Sequence, residues 1–374
     1  MKIENARIVL EDRVVDSGSL VIDSGIISAI ADGPTPSDAE TLDLSGLTLL
    51  PGFIDVHIHG AVGIDTMDAS AEQLGEVSNF LATHGVTAWL PTFVPASHEQ
   101  FSRAIQEIAK SMDAPGARVL GVHYEGPFVN TLQCGALHTE HFKTYSGPDD
   151  LAFLDAPVDW VRMITLAPEI EGGVELVREL WRRGWVISIG HTRATPEVLD
   201  QAFASGARHM THFMNAMSPL HHRMPGPIAW GLAHDGVTFD LIADGVHLDP
   251  FMLRLLLKIK SAGGISLISD AIAAAGKGDG DYRIWGETIA VKNGRTANAS
   301  GNIAGSVITM LDAVRFMHSL GVSYVDLARM ASLNPARLLG FDRECGSIEI
   351  GKRADLVAVD ADWNVKLTLV GGMR

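Results

Sequence analysis

Two histidines one residue apart, His57 and His59, close the segment "PGFIDVHIHG". Side chains alternate along a strand, so the pair shares one face and could grip one ion. Alone, the pair is weak evidence, since core or surface histidines also occur in this spacing. Other imidazoles and carboxylates end further short apolar runs: His123 and Glu125 in "RVLGVHYEG", His191 in "WVISIGHT", His212 in "ARHMTHFMN", Asp244 and His247 in "VTFDLIADGVH", and Asp270 in "GISLISDA". A core-packing role would scatter or omit such residues. Together His57, His59, Glu125, His191, His212 and Asp270 make a candidate ligand set for one or two divalent transition metals. Imidazole with carboxylate suits zinc foremost, or iron or manganese, better than calcium or magnesium. Such an ion lowers the pKa of a bound water toward neutrality and readies it to attack a carbonyl. Asp270 reads either as a helix N-cap after a strand or as a general base. As a base it takes the water's proton and later passes it to the leaving group.

The elements that must position these residues follow from the pattern between them. With "GVTAWLPTF" and "VRMITLAPE", the apolar runs number eight, and helical stretches separate them. "SHEQFSRAIQEIAKSM" places Phe101, Ile105, Ile108 and Met112 on one face, with Ser97 and Gln100 as a capping box. "TPEVLDQAFASG" begins with Thr195 as N-cap and Pro196 at the first helical position, and ends at Gly206. Eight strands interleaved with helices predict an α/β fold, a (β/α)8 TIM-type barrel over residues 52–339. Its catalytic side chains should lie at the C-terminal strand ends. Residues 1–51 and 340–374 read instead as short β segments broken by Asp, Gly and Ser. Neither end is long enough to bury a core alone, so the two are expected to pair into one small β-sandwich domain.

The bulk of the 374-residue chain fits that size. Hydrophobic residues are 47% and charged residues 20%, which excludes a disordered chain. The net charge of −16 repels phosphodiester backbones and anionic lipids, so nucleic-acid and membrane partners are not expected. A small anionic substrate remains compatible where a local basic residue receives it. The two cysteines, Cys134 and Cys345, read as free thiols of a reducing compartment. No secretory leader opens the chain and no apolar stretch is long enough to span a bilayer, so the expected address is the cytoplasm.

Four features stay open at the level of residues. His123 shares Glu125's face or orients a ligand from behind. Arg223, in "MSPLHHRMPG", is a solvated loop charge or an anion clamp, since guanidinium matches phosphate geometry. "ASGNIAGS" closes over substrate or merely connects two elements. His209, His221, His222 and His234 read mostly as surface or structural.

In order and spacing, "PGFIDVHIHG", "GVHYEGPF", "GHT", "THFMNAM", "ADGVH", "SDA" and "NIAGSVITM" resemble the N-acetylglucosamine-6-phosphate deacetylases of the amidohydrolase superfamily over nearly the whole length. "VRMITLAPE" offers no lysine for a carbamylated metal bridge, which separates the chain from dihydroorotase-like relatives. The resemblance implies Glu125, His191 and His212 as principal metal ligands. It implies a second ion at His57 and His59 with Glu125 bridging, and Asp270 as the catalytic aspartate. It places sugar and phosphate contacts at Asn215, Ala216 and His247, and in "NIAGSVITM" at Ile303 and Ala304. Arg223 is implied to reach the phosphate in a neighbouring subunit, hence a homodimer. Relatives often carry a carbonyl-polarising histidine two residues after the glycine that follows "EGPF". Here Leu137 takes that offset and His138 the next, so His138 is the expected contact through a one-residue insertion.

The implied reaction hydrolyses the N-acetyl group of N-acetylglucosamine-6-phosphate to glucosamine-6-phosphate and acetate. Alternatives are an N-acetylgalactosamine-6-phosphate or N-acyl amino acid deacetylase. From a different class comes a non-catalytic barrel scaffold, which should purify with little metal.

Overall fold

The computed structural model describes residues 1–36 and 40–374. Its centre is eight parallel strands: Phe53–Ile58, Val86–Phe93, Gly121–Glu125, Val161–Leu166, Val186–Ile189, His209–Met210, Thr238–Ile242 and Ile265–Ile268. Each lies within one of the eight apolar runs. They pair in sequence from first to eighth in parallel register. Helices cover the outside and side chains fill the inside, so the strands carry near-continuous apolar sequence rather than alternation. All of Val86–Phe93 is buried. Two backbone bonds just past the eighth strand shut the cylinder: Asp270 N–H donates to His57 O at 2.9 Å, and His59 N–H to Ala271 O at 2.8 Å.

The helices obey their local signals. Ser97 caps His98–Ser111: its Oγ accepts from Gln100 N–H at 3.2 Å, while Gln100 Oε1 accepts from Ser97 N–H at 3.0 Å. Phe101, Ile105 and Ile108 of this helix are buried against the barrel wall. Each such side chain contributes about 1.5–3 kcal/mol of apolar burial. Pro196–Ser205 starts at its proline and stops at Gly206, whose φ of 125° lies in the region that favours glycine.

The two chain ends pair, as expected, into a seven-stranded mixed sheet. Thr48–Pro51 lies at its centre, parallel to Lys2–Val9 and antiparallel to Leu356–Val359. Ile3, Ile8, Leu20, Leu49, Leu356 and Leu369 form the buried face. The chain leaves this sheet through Gly52, where a Cβ would lie 2.2 Å from the Thr87 side chain, so only glycine lets the sheet and the barrel approach so closely. A further three-stranded unit, Gly280–Ile284, Glu287–Lys292 and Arg295–Ala297, follows the eighth barrel strand. Its sequence marks it locally: Ile289 and Val291 alternate with smaller or polar residues, and Asn293–Gly294 supplies the two-residue turn that a hairpin favours. Among the described residues, no helix is long and apolar enough to cross a membrane.

Candidate metal centre

Six side chains from five strand ends converge at one mouth of the barrel. His57, His59 and Asp270 form one buried group, and Glu125, His191 and His212 a second. In the first, His57 Nε2 lies 3.2 Å from His59 Nε2, and Asp270 Oδ1 lies 3.5 and 3.3 Å from those nitrogens. In the second, Glu125 Oε1 is 2.9 Å from both His191 Nε2 and His212 Nε2, which are 3.2 Å apart. Glu125 also reaches the first group, with Oε2 3.2 Å from His59 Nε2.

The backbone works to achieve this. His191, His212 and Asp270 each follow a strand and each take positive φ, 48°, 31° and 48°. Non-glycine residues rarely adopt that region, and it turns the chain sharply so that the side chain swings into the mouth. Partners hold these turns. Asp240 accepts the backbone N–H of His212 and bonds His209 Nε2 at 3.0 Å. Glu169 accepts from Thr192 Oγ1 and from Arg193 N–H, both at 2.6 Å, just after His191. Asp55 Oδ2 accepts from Ser269 Oγ at 2.5 Å and Oδ1 from His57 N–H at 3.3 Å, tying the first strand to the eighth beneath Asp270.

The donor chemistry fits a transition-metal cation. Two neutral imidazoles cannot both donate across a 3.2 Å Nε2–Nε2 gap. Two ligands about 2.0–2.1 Å from a tetrahedral ion would sit about 3.3 Å apart. His191 Nδ1 lies 2.8 Å from Gln133 O and His59 Nδ1 3.2 Å from Thr92 O. Donation to these carbonyls leaves the Nε2 lone pairs facing the centre. The electrostatics agree. Burial opposes charge on His59, but Asp270 and Glu125 outweigh it and push its pKa up to about 10. Against the same burial, Glu125 pushes His212 up to about 9. Burial would raise Glu125, yet the His57 charge and bonds from His191 and His212 hold it well below the usual carboxylate range. A field that holds protons on these rings favours a cation in their place. His123 stands apart: burial holds its pKa well down, its Nδ1 lies 3.0 Å from Val56 O and its Nε2 2.8 Å from Thr165 Oγ1. It packs edge-on against His57 with ring centroids 4.7 Å apart and supports that ligand from behind.

Above the two groups opens a cavity of about 450 Å³. Asn215, Ala216, His247 and Ile303 line it, and Asp244 Oδ2 fixes His247 Nδ1 at 2.7 Å. Three candidate contacts do not line this cavity, and of these Arg223 is expected to serve a neighbouring subunit. Ala304 is fully buried, packed in a cluster with Ile272 and Ile284 beside the cavity. Arg223 is exposed on its turn, with Nη1 2.8 Å from His222 Nε2, and does not line the cavity of its own chain. His138 turns away, its Nε2 3.4 Å from Glu287 Oε1, and Leu137 takes the wall position instead. The turn after Gly135 brings one residue of that stretch to the cavity, and it is the earlier one. Trp285 and Asn302 also line the cavity, Asn302 from the "ASGNIAGS" loop read above as one that could close over substrate. Trp285 sits at a turn of the three-stranded unit, and no spacing in the sequence relates it to the histidines.

A closed parallel barrel with buried imidazole–carboxylate groups at the C-terminal strand ends, joined to a sheet from both chain ends, defines the class of metal-dependent hydrolases. Residues 48–374 match the model of the amidohydrolase family, and the chain belongs to that family. It is 39% identical to the N-acetylglucosamine-6-phosphate deacetylase of Bacillus subtilis, over 99% of this chain and 96% of that one. It is 36% identical to the N-acetylgalactosamine-6-phosphate deacetylase of Escherichia coli O157:H7, over 98% and 97%. A structure of a mutant N-acetyl-D-glucosamine-6-phosphate deacetylase from Mycobacterium smegmatis, in complex with N-acetyl-D-glucosamine-6-phosphate, superposes with a TM-score of 0.93. The two are 32% identical, and the match covers 100% of this chain and 98% of that one.

Proposed function

We propose that this chain deacetylates N-acetylglucosamine-6-phosphate. The observation that carries the reading is the meeting of Glu125, His191 and His212 on one point, with Asp270 opposite, at the floor of a cavity large enough for a sugar phosphate. Glu125, His191 and His212 would hold one divalent cation and His57, His59 and Asp270 a second, with Glu125 shared; zinc suits this donor set best. Such ions supply an acidified water and positive charge for the carbonyl oxygen. Asp270 takes the proton of the attacking water as the new C–O bond forms. It then delivers that proton to the nitrogen as the C–N bond breaks, which leaves acetate and an amino-sugar phosphate. His247, Asn215 and the Ala216 backbone orient the sugar and its phosphate. Arg223 completes the anion site of a partner subunit in a homodimer. The barrel of residues 52–339 carries this chemistry, and the sheet from 1–51 and 340–374 braces it.

The galacto epimer is the second reading, favoured by the Escherichia coli relative. The test is acetate release from both epimers and from an N-acetyl amino acid, with and without chelator. Turnover of the gluco epimer that stops on chelation and returns with zinc is expected. No acetate from either sugar phosphate by metal-loaded protein would end the reading.

A further inference from the structure

The strands Gly280–Ile284 and Glu287–Lys292 pair so that Ile284 faces Glu287, leaving a two-residue turn of Trp285 and Gly286. Both take positive φ, 52° and 81°. Such turns favour Asn, Asp or Gly at the first position, and a bulky side chain there is strained. The strain sets an indole beside the metal ligands: the Trp285 ring meets His59 edge-on, centroids 5.2 Å apart and planes at 83°. Strain kept at such a place points to a function.

The indole is also a partition. A second cavity, of about 260 Å³, adjoins the first, and the two share only Ala136, Leu137 and Trp285. On its far side this second cavity mixes apolar Met67, Val94 and Pro95 with polar Asp68, Gln100 and Glu140. It is therefore partly apolar, and Trp285 is the bulkiest side chain between it and the metal ligands.

This inference rests on the deacetylation reading and deepens it. Asn215 and Ala216 follow His212, and a Cβ on Gly135 would lie 3.8 Å from Ala216 and 3.6 Å from the His191 ring. Sugar contacts thus sit on the Glu125–His191–His212 side, whereas Trp285 abuts His59 of the other group. A substrate anchored at Asn215 and Ala216 with its amide over the metal groups directs its acyl tail toward the indole. We infer that Trp285 limits the acyl group: it seals off the partly apolar pocket behind it, so that acetyl fits and a chain two methylenes longer does not.

The test compares kcat/KM for N-acetyl- and N-butyryl-glucosamine-6-phosphate in the wild type, Trp285→Gly and Trp285→Phe. Glycine suits the turn's φ, so that variant removes the wall without adding backbone strain. The wild type is expected to prefer acetyl by at least about tenfold, the discrimination a shaped apolar pocket gives per methylene. Trp285→Gly should raise the butyryl-to-acetyl ratio by at least about tenfold, and Trp285→Phe should stay within about threefold of the wild type. An unchanged ratio in Trp285→Gly, equal use of both substrates by the wild type, or parallel loss of both activities would each overturn the inference. The last would make the indole a prop for His59 instead. A metal-loaded wild type that cleaves neither substrate sinks the deacetylation reading itself, and the Trp285 inference falls with it.

Discussion

Glu125 and His59 lie on different strands, yet Glu125 Oε2 stands 3.2 Å from His59 Nε2 while its other oxygen stands 2.9 Å from His191 and His212. One carboxylate therefore joins both histidine groups. Glu125→Gln removes the shared charge and should empty both groups together. Loss of a residue that merely supports a ligand costs about 10–100-fold in metal affinity, so loss of a shared ligand should exceed that. Elemental analysis of the purified variant checks this. Full retention of one ion would show that the two groups load independently.

Asp270 faces the same centre from the end of the eighth strand, and Gly305 packs so closely there that a Cβ would lie 2.8 Å from Asp270 O. Asp270→Asn keeps the shape and loses the base. It should lower kcat by about 10²–10⁴-fold, with the ion at Glu125, His191 and His212 retained. Steady-state kinetics beside metal analysis separates the two effects, and near-normal turnover would strip Asp270 of its proton-carrying role.

Arg223 is exposed and away from the cavity of its own chain. If it serves a partner subunit, Arg223→Ala should raise KM for the phosphorylated sugar by about 10–100-fold, the worth of a hydrogen bond to a charged group, and barely change the free sugar. Mixing Arg223→Ala with Asp270→Asn protein should then restore activity. Each mixed dimer has one site with both an intact Asp270 and a partner's intact Arg223. Absence of rescue after subunit exchange would count against sharing across the dimer.

Both cysteines are free, and they differ in setting. Cys345 is buried, and desolvation pushes its thiol up to about 11. A raised thiol pKa keeps the neutral form as pH climbs, so at pH 8 only about one Cys345 in a thousand is thiolate. Iodoacetamide at pH 8 should label Cys134 in the native protein and reach Cys345 only after unfolding, read by peptide mass spectrometry. Equal native rates would contradict this placement.

Local order was legible because local physics writes it. Short apolar runs marked all eight barrel strands, since strands buried on both faces must be apolar throughout. Ser97 and Gln100 announced a helix start because a capping box satisfies its bonds within four residues. His57, His59, Glu125, His191, His212 and Asp270 were visible for a related reason: a barrel offers its mouth only at strand ends, and polar residues ending apolar runs have few other uses.

Depth, direction and partnership were not legible, because they depend on residues far away in the chain. His123 and Glu125 share a strand face, and period-two alternation says nothing of depth. The tertiary structure bonds His123 to Val56 and Thr165 below the site and sends only Glu125 to the ligands. His209 and His212 are three residues apart, and Asp240 holds the first ring in the wall while fixing the backbone of the second at the mouth. Leu137 rather than His138 meets the cavity because of how the loop after Gly135 turns, and Trp285 comes from a hairpin unit whose Asn293–Gly294 turn is a local signal but whose docking beside His59 is not. The sequence by itself determined which side chains were fit for metal chemistry and which strands would carry them. Only the closed barrel, with Asp270 bonded to the backbone of His57 across its seam, decided which of them touch, because closure converts positions along a chain into distances in space.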